Sequence, residues 1–179
     1  IDIYPEYSGT ISEEILSGEG VYSEEDIRQA LAKHGIKMTN PLGFNNTYAI
    51  GMKEEVSERL KIGKISDLRQ HPDLKFGFGN EFMDRGDGWP TLRNDYHLPQ
   101  QNVRGLDHDL AYRGLEKGTI HAIDIYSTDA KVRYYNLRIL KDDLNHFPAY
   151  NAVILYRADL EERAPHVITV LKKLESKIP

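Results

Sequence analysis

Short runs of strand character alternate with runs of helical period along almost the whole chain, and this order constrains the fold more than any other feature. Strands are expected at residues 1–4, 44–52, 74–78, 119–126, 138–140 and 149–156. Helices are expected at 8–16, 23–34, 54–62, 89–96, 107–117, 129–135 and 165–177, with one short capped turn at 66–69. The local chemistry marks several ends. Ser23 precedes three acids, Ile27, Ala30 and Leu31 form one apolar stripe, and Gly35 follows, so a helix should begin at a serine cap and stop at a glycine. Thr10 or Ser12 should sit near the start of the helix at 8–16, and Gly63 and Gly118 should close two others. Pro90 and Pro165 fall in first turns, where proline costs no hydrogen bond. Strands that alternate with helices predict an α/β architecture with a mainly parallel sheet.

Composition removes several function classes. The chain has 179 residues, 40% of them hydrophobic and 28% charged, enough for one ordinary domain or two small lobes with a proper core. Its net charge is −5, with lysine and arginine spread among the acids; without a basic stripe, nucleic acid is not an expected partner. There is no cysteine, which excludes disulfides, thiolate catalysis and cysteine-based metal sites. No apolar run approaches the roughly 20 residues that span a bilayer. The chain opens on Ile1-Asp2-Ile3-Tyr4, without Met or a signal peptide, and reads as an excised segment whose start says nothing about its compartment.

Catalytic signatures are weak. His108 lies between Asp107 and Asp109 at a helix start, which suggests either a metal site or a surface histidine beside capping acids. There is no His-Glu-x-x-His pattern and no nucleophile elbow, so a metal-dependent hydrolase is the weaker alternative. Gly77-Phe78-Gly79 is not followed by Gly-Lys-Ser/Thr, so nucleotide binding is rejected. No cofactor and no metal is implied.

Two internal echoes stand out. Ile1-Asp2-Ile3-Tyr4 resembles Ile123-Asp124-Ile125-Tyr126, and Asn46-Thr47-Tyr48-Ala49-Ile50 resembles Ala149-Tyr150-Asn151-Ala152-Val153. Ligands of open α/β sheets sit beyond the carboxyl ends of strands, which puts Tyr7 and Tyr126 at ligand-facing positions, while Tyr48 and Tyr150 stand at strand beginnings. The echoes fit two similar halves around a ligand, or chance. Eleven tyrosines against five phenylalanines and one tryptophan is a high count. Tyr22, Tyr112, Tyr134 and Tyr156 read as packing residues. Tyr7, Tyr48, Tyr126 and Tyr150 at strand–loop junctions could pack similarly, or could form a cage of ring faces for a quaternary ammonium, which has no hydrogen to donate. Arg85 offers a planar fork for a carboxylate, unless Asp84, Asp87 or another local acid occupies it.

With these residues assembled, the chain resembles the glycine betaine/choline/carnitine substrate-binding proteins of osmoprotectant ABC importers. Five stretches carry the resemblance in order: Ile3-Tyr4-Pro5-Glu6-Tyr7-Ser8-Gly9-Thr10, Gly43-Phe44-Asn45-Asn46-Thr47-Tyr48-Ala49, Phe82-Met83-Asp84-Arg85-Gly86-Asp87-Gly88, Ala122-Ile123-Asp124-Ile125-Tyr126-Ser127-Thr128-Asp129 and Phe147-Pro148-Ala149-Tyr150-Asn151-Ala152-Val153. The resemblance implies the two-lobed type II periplasmic-binding-protein (Venus flytrap) architecture, with residues 1–45 and 151–179 in a partial first lobe and 46–150 forming a complete second lobe with its crossover strands. It implies a binding protein without chemistry, its hinge near 44–52 and 149–155. Tyr7, Tyr48, Tyr126 and Tyr150 would wall the trimethylammonium cage, a backbone carbonyl near Asn46 would face the cation, and Thr10 and Arg85 would hold a carboxylate. Its partners would be a small quaternary ammonium ligand and an ABC permease membrane subunit. It would work in the periplasm or otherwise outside the cytoplasm, tethered through a lipid anchor or the permease. A partial first lobe could self-associate. A sensory ligand-binding module of the same fold is the alternative.

Overall fold

The computed structural model describes residues 1–21 and 23–178. Tyr22, read above as a packing residue, lies outside the described residues. The chain divides into two compact units, one formed by Ile1–Asn46 with Ala149–Pro179 and the other by Thr47–Pro148. The strands are β1 (Ile3–Tyr7), β2 (Ile36–Met38), β3 (Tyr48–Lys53), β4 (Phe76–Gly79), β5 (Val103–Leu106), β6 (Ala122–Tyr126), β7 (Leu137–Ile139) and β8 (Ala152–Arg157).

In the first unit β8 lies between β1 and β2 and runs antiparallel to both. Successive side chains of a strand point to opposite faces. Val153 and Leu155 accordingly pack with Ile27, Ala30 and Leu31 of the helix Glu24–Lys33 and with Ile11 and Leu16, while Ala152 and Ile154 join Leu42 on the other face. The helix begins as its sequence requires. Ser23 accepts a hydrogen bond from the Asp26 backbone N–H, and the Asp26 carboxylate accepts from the Ser23 N–H, a reciprocal capping box. Gly35, at φ +68°, supplies the left-handed residue that turns the chain after it. The helix expected at 8–16 differs from its expectation. It starts at Ser8, is capped by Tyr7 without a side-chain bond, and passes at Ile11 into a π-helical turn, Ile11–Ile15.

The second unit is a five-stranded sheet in the order β5-β4-β6-β3-β7. β4 is parallel to β5 and β6, whereas β3 is antiparallel to β6 and β7. A mainly parallel sheet is therefore not what forms. Helix crossovers do produce the parallel trio β4, β5 and β6, through Asn80–Asp84, Trp89–Asp95 and His108–Glu116. β3 and β8 are the first strands after each passage of the chain between units. They pair with strands distant in sequence and insert antiparallel. Ile123 and Ile125 of β6 face Ala111, Tyr112 and Leu115 of the helix His108–Glu116, which begins at Asp107, whose side chain caps it.

Other boundaries shift for local reasons. Phe44–Asn46 contributes only an isolated bridge from Asn45 to Asn151, so the strand expected from 44 begins at Tyr48. Lys61, at φ 56°, ends the helix Glu54–Leu60 before Gly63 is reached. Thr119 and Ile120 still bond back to Gly114, which delays β6 to Ala122. Four elements carry too little pattern to be expected from sequence: β2, β5 and the helices Asn80–Asp84 and Leu160–Arg163. Tyr112 and Tyr156 are buried as expected, but Tyr134 is exposed.

Candidate functional site

The connections leaving β4 and β6 run in opposite directions, the first to β5 and the second past β3 to β7. A sheet that reverses this way opens a crevice at the carboxyl ends of the two strands. Here Gly79 ends β4, Leu106 ends β5 and Tyr126 ends β6. A cavity of about 330 Å³ lies at these ends, lined by Gly79, Asn80, Glu81 and Phe82 after β4, by Leu106, Asp107 and His108 after β5, and by Tyr48, Asp124 and Tyr126. Its size suits a small ligand. The lining carries three carboxylates and, among the described residues, no lysine or arginine.

Register brings two expected site residues together. Tyr48 and Tyr126 are directly opposed across β3 and β6, with ring centroids 4.9 Å apart and hydroxyls 3.3 Å apart. Phe82 and Phe147 pack on Tyr48 at 5.3 and 6.4 Å. Tyr48 is only 5% exposed; burial, then its bond to Tyr126, pushes its phenol pKa far up, so the ring stays neutral. Tyr126 is half-buried and is the more accessible ring.

Arg85 follows the helix Asn80–Asp84 and turns its fork onto Asp87, with Nε donating to Oδ1 at 2.8 Å and a second nitrogen donating to Oδ2 at 3.3 Å. Its guanidinium also sits 5.2 Å from the Tyr48 ring centroid. Of the two roles open to Arg85 in the sequence, the local ion pair is the one formed here. His146 braces the same turn, contacting the Asp95 carboxylate through Nδ1 at 2.7 Å and the Asp87 carbonyl through Nε2 at 3.1 Å.

Sequence reasoning missed Asp124 and did not place His108 in this crevice. Asp124 alternates with the core residues Ile123 and Ile125, so it lies on the same face as Tyr126 and is 3% exposed. Its Oδ1 accepts the Gly79 N–H at 2.6 Å, and a Cβ on Gly79 would stand 3.1 Å from its Oδ2. Burial raises its pKa, against the Gly79 bond and His108. His108 does stand beside a capping acid, Asp107, but it is half-buried rather than on the open surface. Its ring packs edge-on against Tyr112 and Tyr126, and Nε2 lies 3.0 Å from the Asp124 carbonyl; a carbonyl only accepts, so Nε2 carries the hydrogen. The sequence signal was a carboxylate inside an otherwise apolar strand.

The other four expected residues belong to the first unit. Tyr7 ends β1 and meets Phe44 edge-on at 6.3 Å. Thr10 ends the short helix that follows, and Asn46 donates its backbone N–H to the Tyr150 carbonyl. Tyr150 is 2% exposed, its ring lying so close to Gly9 that a Cβ there would be 2.6 Å from two ring carbons. Ser8 fixes the same corner by donating to the Ala149 carbonyl and accepting from the Asn151 N–H. Among the described residues no group of three or more potential metal ligands occurs, and no helix is long and apolar enough to cross a membrane.

Residues 1–179 match the OpuAC family, described as the substrate binding domain of an ABC-type glycine betaine transport system. The chain is 33% identical to the ergothioneine transport permease/ergothioneine binding protein EgtU of Helicobacter pylori, over 99% of this chain and 33% of that protein. It is 30% identical to a glycine-betaine-binding protein of Pseudomonas aeruginosa, over 95% of this chain and 60% of that one. It thus spans a third to three fifths of these curated relatives. The crystal structure of a glycine betaine/carnitine/choline ABC transporter matches with a TM-score of 0.76 and 29% identity, covering 99% of this chain and 68% of that one. The chain belongs to the OpuAC family of substrate-binding domains, a family of binding proteins rather than enzymes, and has its mixed α/β periplasmic-binding-protein fold.

Proposed function

We propose that this chain binds a quaternary ammonium osmoprotectant of the glycine betaine, choline or carnitine type and serves its import through an ABC permease on the extracytoplasmic side of a membrane. The observation that carries this reading is the opposed pair Tyr48 and Tyr126 lining an acidic crevice. A trimethylammonium group has no hydrogen to donate. It is held by ring faces and by negative potential, and cation–π contacts gain strength where water is excluded.

In this proposal Tyr7, Tyr48, Tyr126 and Tyr150 supply ring faces, the backbone near Asn46 supplies a carbonyl, and Thr10 and Arg85 receive a carboxylate where the ligand has one. Such a carboxylate shares Arg85 with Asp87, because that fork is already engaged. The names of the relatives support the ligand class, since they bind glycine betaine, carnitine or ergothioneine. Calorimetric titration of this chain with glycine betaine, choline, carnitine and ergothioneine tests the reading. Saturable binding of at least one is expected. Absence of binding by all four, with no shift of the thermal midpoint, sinks it.

A further inference from the structure

The crevice holds more than ring faces, and its charge is unbalanced. Asp124 lines it from β6 with its side chain almost fully buried. One carboxylate oxygen is committed to the Gly79 N–H. The nearest potential cation to the other, among the described residues, is His108, with Nε2 at 3.9 Å. That nitrogen points its hydrogen at the Asp124 carbonyl at 3.0 Å, so it gives the carboxylate field but no good hydrogen bond. Glu81 and Asp107 add negative potential at the rim. A buried carboxylate with one hydrogen bond and no close counter-charge is costly, and a ligand can offset that cost in two ways. It can bring positive charge, and it can bring an O–H or N–H that Oδ2 accepts.

Building on the proposed function, we infer that Asp124 makes the crevice between β4 and β6 selective for quaternary ammonium ligands that also carry a hydrogen-bond donor, over those that carry none. A trimethylammonium group alone supplies the charge but cannot donate. A hydroxyl or a ring N–H a few bonds from the nitrogen supplies both. Glycine betaine has no donor, and its carboxylate would meet the field of Glu81, Asp107 and Asp124. Asp124 also ties β4 to β6 through Gly79, and a purely structural role would leave ligand preference untouched.

The test is a matched series titrated calorimetrically into the whole chain: choline, its methyl ether, which keeps the oxygen but loses the donor, and propyltrimethylammonium, which puts a methyl in place of the hydroxyl. Hydrogen bonds to charged groups predict that choline binds about 10-fold or more tighter than either analogue. Asp124→Asn keeps an oxygen for the Gly79 N–H and replaces the second acceptor by a donor, so the choline preference should collapse to within about 2-fold. Thermal unfolding shows whether the variant folds, and if it does not, the wild-type series still decides. Equal binding of the three compounds by the wild-type chain overturns the donor selectivity and leaves the proposed function standing. Binding of none of them, nor of glycine betaine, carnitine or ergothioneine, overturns both.

Discussion

Replacing Asp87 with asparagine separates two jobs that Arg85 could perform. In the structure the Arg85 and Asp87 side chains are 13% and 4% exposed and share two hydrogen bonds. Asp87→Asn retains one oxygen for Nε but removes the charge and the second acceptor. A charge-assisted hydrogen bond contributes about 1.5–3 kcal/mol, and Arg85 is left without its buried counter-charge, so a loss of about 2 kcal/mol is expected. For a chain of this size that lowers the thermal midpoint by about 4–8 °C, read by circular dichroism. The same change releases the fork toward any ligand carboxylate. If Arg85 receives the carboxylate of a betaine, calorimetry should show affinity for glycine betaine rising relative to choline in Asp87→Asn, and Arg85→Ala should weaken glycine betaine more than choline. An unchanged midpoint refutes the argument that this pair is dry and tight. A midpoint that falls while the glycine betaine to choline ratio stays fixed in both variants refutes the carboxylate role and leaves Arg85 as a wall behind Tyr48.

Tyr126→Ala removes the accessible ring of the opposed pair, and affinity for every quaternary ammonium ligand should fall about 10-fold or more in calorimetry, the scale of one desolvated cation–π contact. Gly9→Ala places a Cβ 2.6 Å from the Tyr150 ring, and the overpacking should cost about 1–3 kcal/mol in urea unfolding; no loss would mean the ring moves aside freely. Asp143 titrates at about 2, because the Ser66 hydroxyl and backbone N–H, with Lys64, outweigh the burial that would raise it. Its folded value lies below its unfolded value, so its contribution to stability is present above about pH 4 and lost as pH falls toward about 2. Asp143→Asn should lower the midpoint at neutral pH and flatten its decline across that acid range.

Local signals were readable where neighbours in sequence settle the structure. Ser23 with Asp26 builds its capping box, Asp107 caps the next long helix of the second unit, and Pro90 and Pro165 stand in first turns. Strand direction was not readable, because β8 pairs with β1 and β2, and β3 with β6, across distances in sequence that no local pattern encodes. The four tyrosines were placed correctly at strand–loop junctions, yet their exposure was not readable. Tyr150 is covered because Gly9 lets the ring come close, and Tyr48 because Phe82, Phe147 and Arg85 surround it.

The same limit hid the acid in the crevice. Read along the chain, Ile123-Asp124-Ile125-Tyr126 is a short apolar strand with one polar residue. Read by alternation, Asp124 and Tyr126 share a face and the two isoleucines share the other. That pattern leaves a carboxylate buried next to an aromatic ring, which a stable core would avoid unless something offsets the charge. Gly79 offsets part of it through one N–H, and a Cβ there would stand 3.1 Å from Oδ2, close enough to push the carboxylate back from that strand end. The remaining charge stands beside the ring faces of Tyr48 and Tyr126. Ring faces attract cations weakly and with little regard to what else the cation carries, whereas a buried acceptor discriminates between a ligand that donates and one that does not. On the proposed reading, affinity for the ammonium and choice among ammonium compounds are separable properties of one crevice, the first assigned to the tyrosines and the second to Asp124.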